Sequence, residues 1–244
     1  MTDVPGVLEP LLAWLGPEEW QAVALSLRVA VVATLASLPL GLFVAYALAR
    51  WRFPGHSVLN ALVHLPLVLP PVVTGYLLLV AFGRQGPVGR VLDETFGLRF
   101  AFEWTGAALA CAAMGFPLMV RAMRLAIEAV DEGLEEAAAT LGASRLWVLA
   151  TVTLPLALSG ILAGSVLAFA KAMGEFGATI TFVSNIPGRT QTIPSAIYAF
   201  LQVPGGEESA FRLITVSIGV SVGAVLVAEL LARRATRSKA GKRS

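Results

Sequence analysis

Charge is what this sequence has least of. Asp, Glu, Lys and Arg make up 14% of its 244 residues, against 57% that are hydrophobic, and the mean hydropathy is +0.77. Soluble domains carry about a quarter charged residues, so the deficit excludes an ordinary water-soluble domain and points to a membrane protein. A net charge of only +2 gives no basic surface for a nucleic acid. Cysteine is limited to Cys111. That excludes an intrachain disulfide or a cysteine-based metal site, and leaves Cys111 as a small apolar packing residue. The two histidines, His56 and His64, are too isolated for a metal site and read as polar packing groups. No apolar stretch carries His-Glu-x-x-His, paired aspartates or Gly-x-Ser-x-Gly, so an intramembrane enzyme lacks its chemistry. A phosphate-binding loop is missing too: the nearest string, Gly241-Lys242-Arg243-Ser244, has no upstream glycine and sits in a basic tail.

What the chain has is long apolar runs. A helix needs about 20 apolar residues to cross the hydrocarbon. Val29 to Ala49, Val58 to Phe82, Trp104 to Val120, Val152 to Ala170 and Leu213 to Ala232 qualify or nearly do, the third being short. Thr192 to Val203 is apolar but too short to cross, and reads as a re-entrant or surface-lying helix. Five spans put the termini on opposite sides. The tail after Ala232 holds Arg233, Arg234, Arg237, Lys239, Lys242 and Arg243 with no acid, which places it in the cytoplasm. The first 27 residues hold Asp3, Glu9, Glu18 and Glu19 but no Lys or Arg, which agrees with an outer N-terminus. By side, eleven of the eighteen Lys and Arg fall inside, most of the excess in the tail. No basic stretch with a cleavage site precedes the first span, so it reads as retained. The organisation expected is a polar leader at 1–20, one transmembrane domain at 21–234 with a cytoplasmic loop at 121–151, and a basic cytoplasmic tail at 235–244.

That loop is unusually polar. Asp131 can cap a helix by accepting from its free amides. Glu132 to Leu141 has strong helical propensity, with Ala137, Ala138 and Ala139 in a row. Gly142 suits the position after a helix end, where positive φ carries no Cβ penalty. Ser144 can cap a second short helix through Trp147. Two short helices around a glycine make a cytoplasmic knob with Glu132, Glu135 and Glu136 on one face. Such a face reads either as a solvated amphipathic surface or as a docking surface.

The spacing Glu136-Ala137-Ala138, three residues, Gly142, nine residues, Val152, one residue, Leu154-Pro155 resembles the signature by which membrane subunits of bacterial ABC importers engage their ATPase, with Val152 where isoleucine is commonest. The resemblance implies that Glu136, Ala137, Ala138, Gly142, Leu154 and Pro155 form an ATPase-coupling element. It implies that this chain is a transport subunit and not an enzyme, that it carries no cofactor, and that ATP and Mg belong to a separate ATPase.

Three further runs are similar to molybdate permease subunits: His64 to Tyr76, Gly174 to Gly188, and Thr190 to Tyr198. The likeness extends from about Trp20 to Arg234. Sulfate and tungstate permeases share parts of it, above all Gly174 to Ala178, while Thr181 to Gly188 favours molybdate. The fold implied is an all-α membrane protein of about five transmembrane helices of the type I ABC importer permease kind, N-terminus outside and C-terminus cytoplasmic. The partners implied are two copies of an ABC ATPase, an extracytoplasmic molybdate-binding protein, a second copy of this chain with the path at the two-fold axis, and membrane lipid. The location implied is the bacterial cytoplasmic (inner) membrane, multi-pass.

Pro66, Pro70 and Pro71 cannot all sit in one regular helix, because each removes a backbone hydrogen bond. Freed carbonyls inside a membrane are tolerated only against protein or a wet cavity. The break before Thr74, Gly75 and Tyr76 is therefore a path-lining segment or a kink packed on its neighbours. An anion path needs amides and hydroxyls without a fixed cation that would trap the ion. Pro70, Pro71, Thr74, Gly75, Glu175, Thr179, Thr181, Ser184 and Asn185 are the candidate path or gate residues. Glu175 also reads as an ion-pair partner of Lys171, four residues earlier, and Glu229 as one of Arg233. Arg28 can snorkel to the outer headgroups. Gly160/Gly164 and Gly219/Gly223 are small-xxx-small patterns that permit close helix crossing.

Overall fold

The computed structural model describes residues 14–240, with side chains described to 230 except at 228 and 229. The leader before residue 14, the Glu229–Arg233 pair and the side chains of the basic tail lie outside the described residues. Every regular element among the described residues is helical, as expected where hydrocarbon offers the backbone no hydrogen-bond partner.

Helix α1 is Pro17–Arg50. It begins well before Val29 because its first turn is fixed locally: the Gly16 amide donates to Glu19 Oε2 at 2.6 Å and Pro17 occupies the first helical position. Residues assigned to a leader at 1–20 thus belong in part to the first span. The second apolar run is two helices, α2 His56–Val68 and α3 Pro71–Phe82, bent by 114°. The bend falls at Leu69 and Pro70. Pro66 is absorbed in the last turn of α2, and Pro71 starts α3, where its missing amide costs nothing. Helix α4, Pro87–Phe96, follows. Helix α5, Trp104–Glu128, is longer than the apolar run, because Arg121, Arg124 and Glu128 continue the helix past the hydrocarbon.

Next come α6 Glu132–Thr140 and α7 Arg145–Val148, then a π turn at Leu149–Thr153 and α8 Leu154–Met173. Arg145 to Met173 is one candidate span of 29 residues, so the second helix of the knob is the first part of that long helix and not a separate piece. The π turn lies where the Pro155 ring would crowd the preceding turn. Helices α9 Gly177–Val183, α10 Ile193–Phe200 and α11 Glu207–Ala240 complete the order, α10 being the short apolar helix expected. By length and composition four helices can cross a membrane, or five if the bent α2–α3 pair counts as one span.

Helix α5 is the centre, packed against α1 on one side and α8 on the other. Close packing, not water exclusion, holds such helices together in lipid, and small residues permit it. One part of the core gathers Ala30, Ala107, Cys111, Phe182 and Ile193. A second, around the knob-side ends of α1 and α5, gathers Ala45, Met119, Met123, Ile127 and Ala157. A Cβ on Gly160 would lie 2.1 Å from Ala126 Cβ, and one on Gly164 2.9 Å from Met119 O. That pair is the α5–α8 crossing, whereas Gly219 and Gly223 on α11 face open space. Polar ties fix the ends away from the knob. Arg212 of α11 donates to Glu19 of α1 at 2.7 Å, with Glu19 almost fully buried. The Ile193 amide donates to Ser26 Oγ at 2.7 Å. Arg28 lies over the Trp104 ring at 3.8 Å. Replacing Gly160 with Leu overpacks the crossing, at a cost of about 1–3 kcal/mol. The expected result is a lower thermal midpoint of the detergent-purified chain; an unchanged midpoint contradicts the crossing.

Candidate functional site

The knob is built by local chemistry. Asp131 accepts from the Gly133 amide at 2.9 Å and Ser144 from the Trp147 amide at 3.3 Å, so both helix starts are capped as their sequences require. The end of α6 closes as a Schellman motif: the Ala143 amide donates to Ala138 O at 3.2 Å and the Gly142 amide to Ala139 O at 3.0 Å. Gly142 has φ +86°, and nothing lies within 4 Å of where its Cβ would be. Conformation alone therefore selects glycine there, not space.

The three acids do not share one face. Glu135 turns inward, its side chain 16% exposed, and with Glu132 meets Arg50 at the end of α1. Glu136 and Ala137 point outward and are exposed, with Ala138 half-buried beside them. Leu154 and Pro155 start α8, one half-buried and the other exposed. Around Gly142 the knob presents apolar side chains that the motif does not contain. Leu141 is 89% exposed and Leu146 78%, with Leu134 and Trp147 about half-exposed. Four large exposed apolar groups on an otherwise polar segment offer area suited to burial against another protein. Their signal was present in the sequence as hydrophobic residues inside an otherwise polar segment.

The second cluster joins two segments far apart in the chain. The start of α3 crosses α9 at backbone contact: a Cβ on Gly75 would lie 2.5 Å from Ala178 O and 2.9 Å from Thr181 Cβ. Gly177 meets Pro71 the same way, at 2.8 Å. Pro70 caps α3, so both broken helices begin at this crossing. Glu175 is buried and serves as the cap of α9: Oε1 accepts from the Ala178 amide at 3.0 Å, while Oε2 pairs with Lys171 Nζ at 2.6 Å. Thr179 and Thr181 spend their hydroxyl protons on the carbonyls of Phe176, at 2.9 Å, and Gly177, at 2.8 Å. Asn185 donates to Ser195 O at 3.4 Å and leaves Oδ1 buried without a partner. Thr74 is buried with its hydroxyl unpaired. Ser184 is exposed at φ +64°, a strained position for a non-glycine residue. Of the hydroxyls singled out in the sequence, Thr74 and Ser184 retain a proton to offer an anion. Replacing Gly75 with Leu drives α3 from α9. It is expected to lower the thermal midpoint and to raise protease cleavage after residue 83, while the Gly75→Ala variant shows a smaller shift; equal wild-type behaviour of both contradicts the crossing.

Residues 37–237 match the family described as binding-protein-dependent transport system inner membrane component. The chain is 59% identical over 224 residues to the molybdenum transport system permease protein ModB of Escherichia coli (strain K12), covering 92% of this chain and 97% of that one. It is 57% identical over 216 residues to ModB of Haemophilus influenzae, covering 88% and 94%. A solved bacterial ABC transporter involved in the import of the acidic polysaccharide alginate has a TM-score of 0.68 at 18% identity, covering 96% of this chain and 85% of that one, a likeness of fold. With the family match spanning most of the chain and the helices arranged as in ABC importer permeases, the chain belongs to the binding-protein-dependent transport system inner membrane components.

Proposed function

We propose that this chain is the permease subunit of an ATP-driven importer and forms the path by which molybdate crosses the cytoplasmic membrane by alternating access. One observation carries the reading of a driven permease: a capped, outward-facing knob is continuous with a transmembrane helix from Arg145 to Met173. A displacement applied to the knob is therefore delivered to the membrane without a flexible joint on that side. Coupling of this kind needs an element with two states that a ligand can bias. The cargo reading rests on the likeness to molybdenum transport permeases and on the crossing of α3 with α9, which brings together the two segments that carry it.

In this reading the chain is a transport component, and ATP and its magnesium are bound by a separate ABC ATPase. Two ATPase copies dock on the knobs of two copies of the chain, and an extracytoplasmic binding protein delivers the oxyanion. The N-terminus lies outside and the basic tail inside. The transmembrane domain runs from Pro17, with 121–151 as its cytoplasmic coupling loop. Glu136 offers a charge to a basic group of the ATPase, and Leu141, Leu146 and Trp147 offer apolar area.

Deletion of the chain from cells without a redundant system is expected to abolish molybdate uptake at low external concentration and molybdenum-enzyme activity. Survival of both overturns the cargo, and loss of sulfate uptake in its place assigns the path to sulfate. Position 142 separates conformation from bulk. Gly142→Val pays about 1–2 kcal/mol or more for left-handed backbone and is expected to lose ATPase co-purification and uptake with the spans still inserted. Gly142→Asn tolerates that backbone and is expected to keep both. Equal uptake by the two variants contradicts the docking role of the turn.

A further inference from the structure

Adjacent glutamates of α6 face opposite ways. Glu136 is exposed to a docking partner, while Glu135 is turned into the protein beside Arg50. Arg50 is the last residue of α1, and its side chain is only 10% exposed. Its Nη2 donates to Ile127 O and Val130 O, each at 3.0 Å, just past the end of α5, where Ile127 O also accepts from the Val130 amide at 3.1 Å. A cation is favoured at that end of a helix by its dipole as well. Nη2 also donates to Glu135 Oε1 at 3.3 Å, and Nη1 donates to Glu132 Oε1 at 3.2 Å, while Nε lies 3.0 Å from Glu135 Oε2 as an ion-pair contact without hydrogen-bond alignment. Glu135 Oε1 also accepts from the Thr153 hydroxyl at 2.6 Å. Thr153 is fully buried and closes the π turn from which α8 starts. A single guanidinium and a single carboxylate thus join the ends of α1 and α5, the docking helix α6, and the start of α8.

A buried ion pair adds little to stability over well-packed apolar groups, because desolvation offsets the attraction. What the pair does supply is direction. A planar guanidinium with fixed donors permits one orientation of its acceptors, whereas an apolar contact permits sliding. On the reading that a docked ATPase moves α6, we infer that Arg50, Glu135 and Thr153 are positioning residues of transport, transmitting the displacement of α6 into α1 and α8 together. Without the joint, α6 still docks through its outward face, but its movement reaches α5 and α8 only through the chain and loses its polar tie to α1.

The test uses vesicles holding the full chain, its cognate ATPase and the molybdate-binding protein, with three readouts: ATPase captured by the purified chain, ATP hydrolysed, and molybdate moved per ATP. Arg50→Gln and Glu135→Gln are expected to capture ATPase within about twofold of wild type and to move about tenfold less molybdate per ATP. Arg50→Lys keeps the charge without the fork and falls between. Thr153→Ser keeps the hydroxyl and restores the wild-type ratio, whereas Thr153→Ala lowers it. Wild-type ratios in the charge variants, or loss of ATPase capture in proportion to transport, overturn the joint. Should the charge variants fail to fold, equal ratios for Thr153→Ser and Thr153→Ala overturn it alone. A wild-type chain that captures no ATPase overturns the reading of a driven permease instead, and the joint with it.

Discussion

Hydrocarbon offers a peptide group no hydrogen bond, and the rest of this structure follows from that constraint. Each span is a helix, and each break in a span must find its bonds within the protein. The break at Leu69–Pro70 and the break at Gly174–Phe176 meet that requirement locally, the Leu69 amide donating to Leu65 O and the Gly174 amide to Ala170 O, and then pack against each other. Helix α3 starts at Pro71 and α9 at Gly177, and the two cross so closely that Gly75 has no room for a Cβ beside Ala178 O. Buried Glu175 supplies α9 with an N-terminal acceptor that no neighbouring backbone provides. The place where the backbone is least regular is therefore also where polar groups such as Thr74 and Asn185 keep unused bonding capacity inside the membrane domain.

The same constraint separates the two jobs of the knob. Past the hydrocarbon, water satisfies the backbone, and short capped helices with a left-handed glycine become possible. Helix α6 uses that freedom to present Glu136 and exposed Leu141 outward. Its inner face stays tied to the bundle through Glu135 and Arg50. Because Arg145 to Met173 is a single helix through the π turn, the outward surface and the membrane core share one lever. The ends away from the knob are held by a comparable arrangement, Arg212 on Glu19, so α1 is pinned by an ion pair near both of its ends.

Much of this was legible in the sequence. Apolar length gave the spans, clustered prolines gave the broken helix, and Asp131, Gly142 and Ser144 gave the knob, because caps and left-handed glycines are local chemistry. Span ends were less legible. Hydropathy marks where the bilayer stops, while α1 begins where Glu19 accepts from the Gly16 amide and α5 continues through Arg121 and Arg124. The split of the acids was not legible from composition of a face. Neighbours on a helix differ by about 100°, so Glu135 and Glu136 can diverge, but only the position of Arg50 decides which one turns inward. Arg50 and Thr153 escaped notice because each is an ordinary residue at a span end until the fold brings the two ends together.

On the proposed function, an external ATPase drives molybdate through this chain. The most direct measurement is accumulation of molybdate in vesicles that hold the wild-type chain, its cognate ATPase and the binding protein. Accumulation against a gradient is expected only when ATP is on the ATPase side and the binding protein is on the other. Equilibration without ATP, or ATP hydrolysis with no molybdate movement in the complete system, would contradict it.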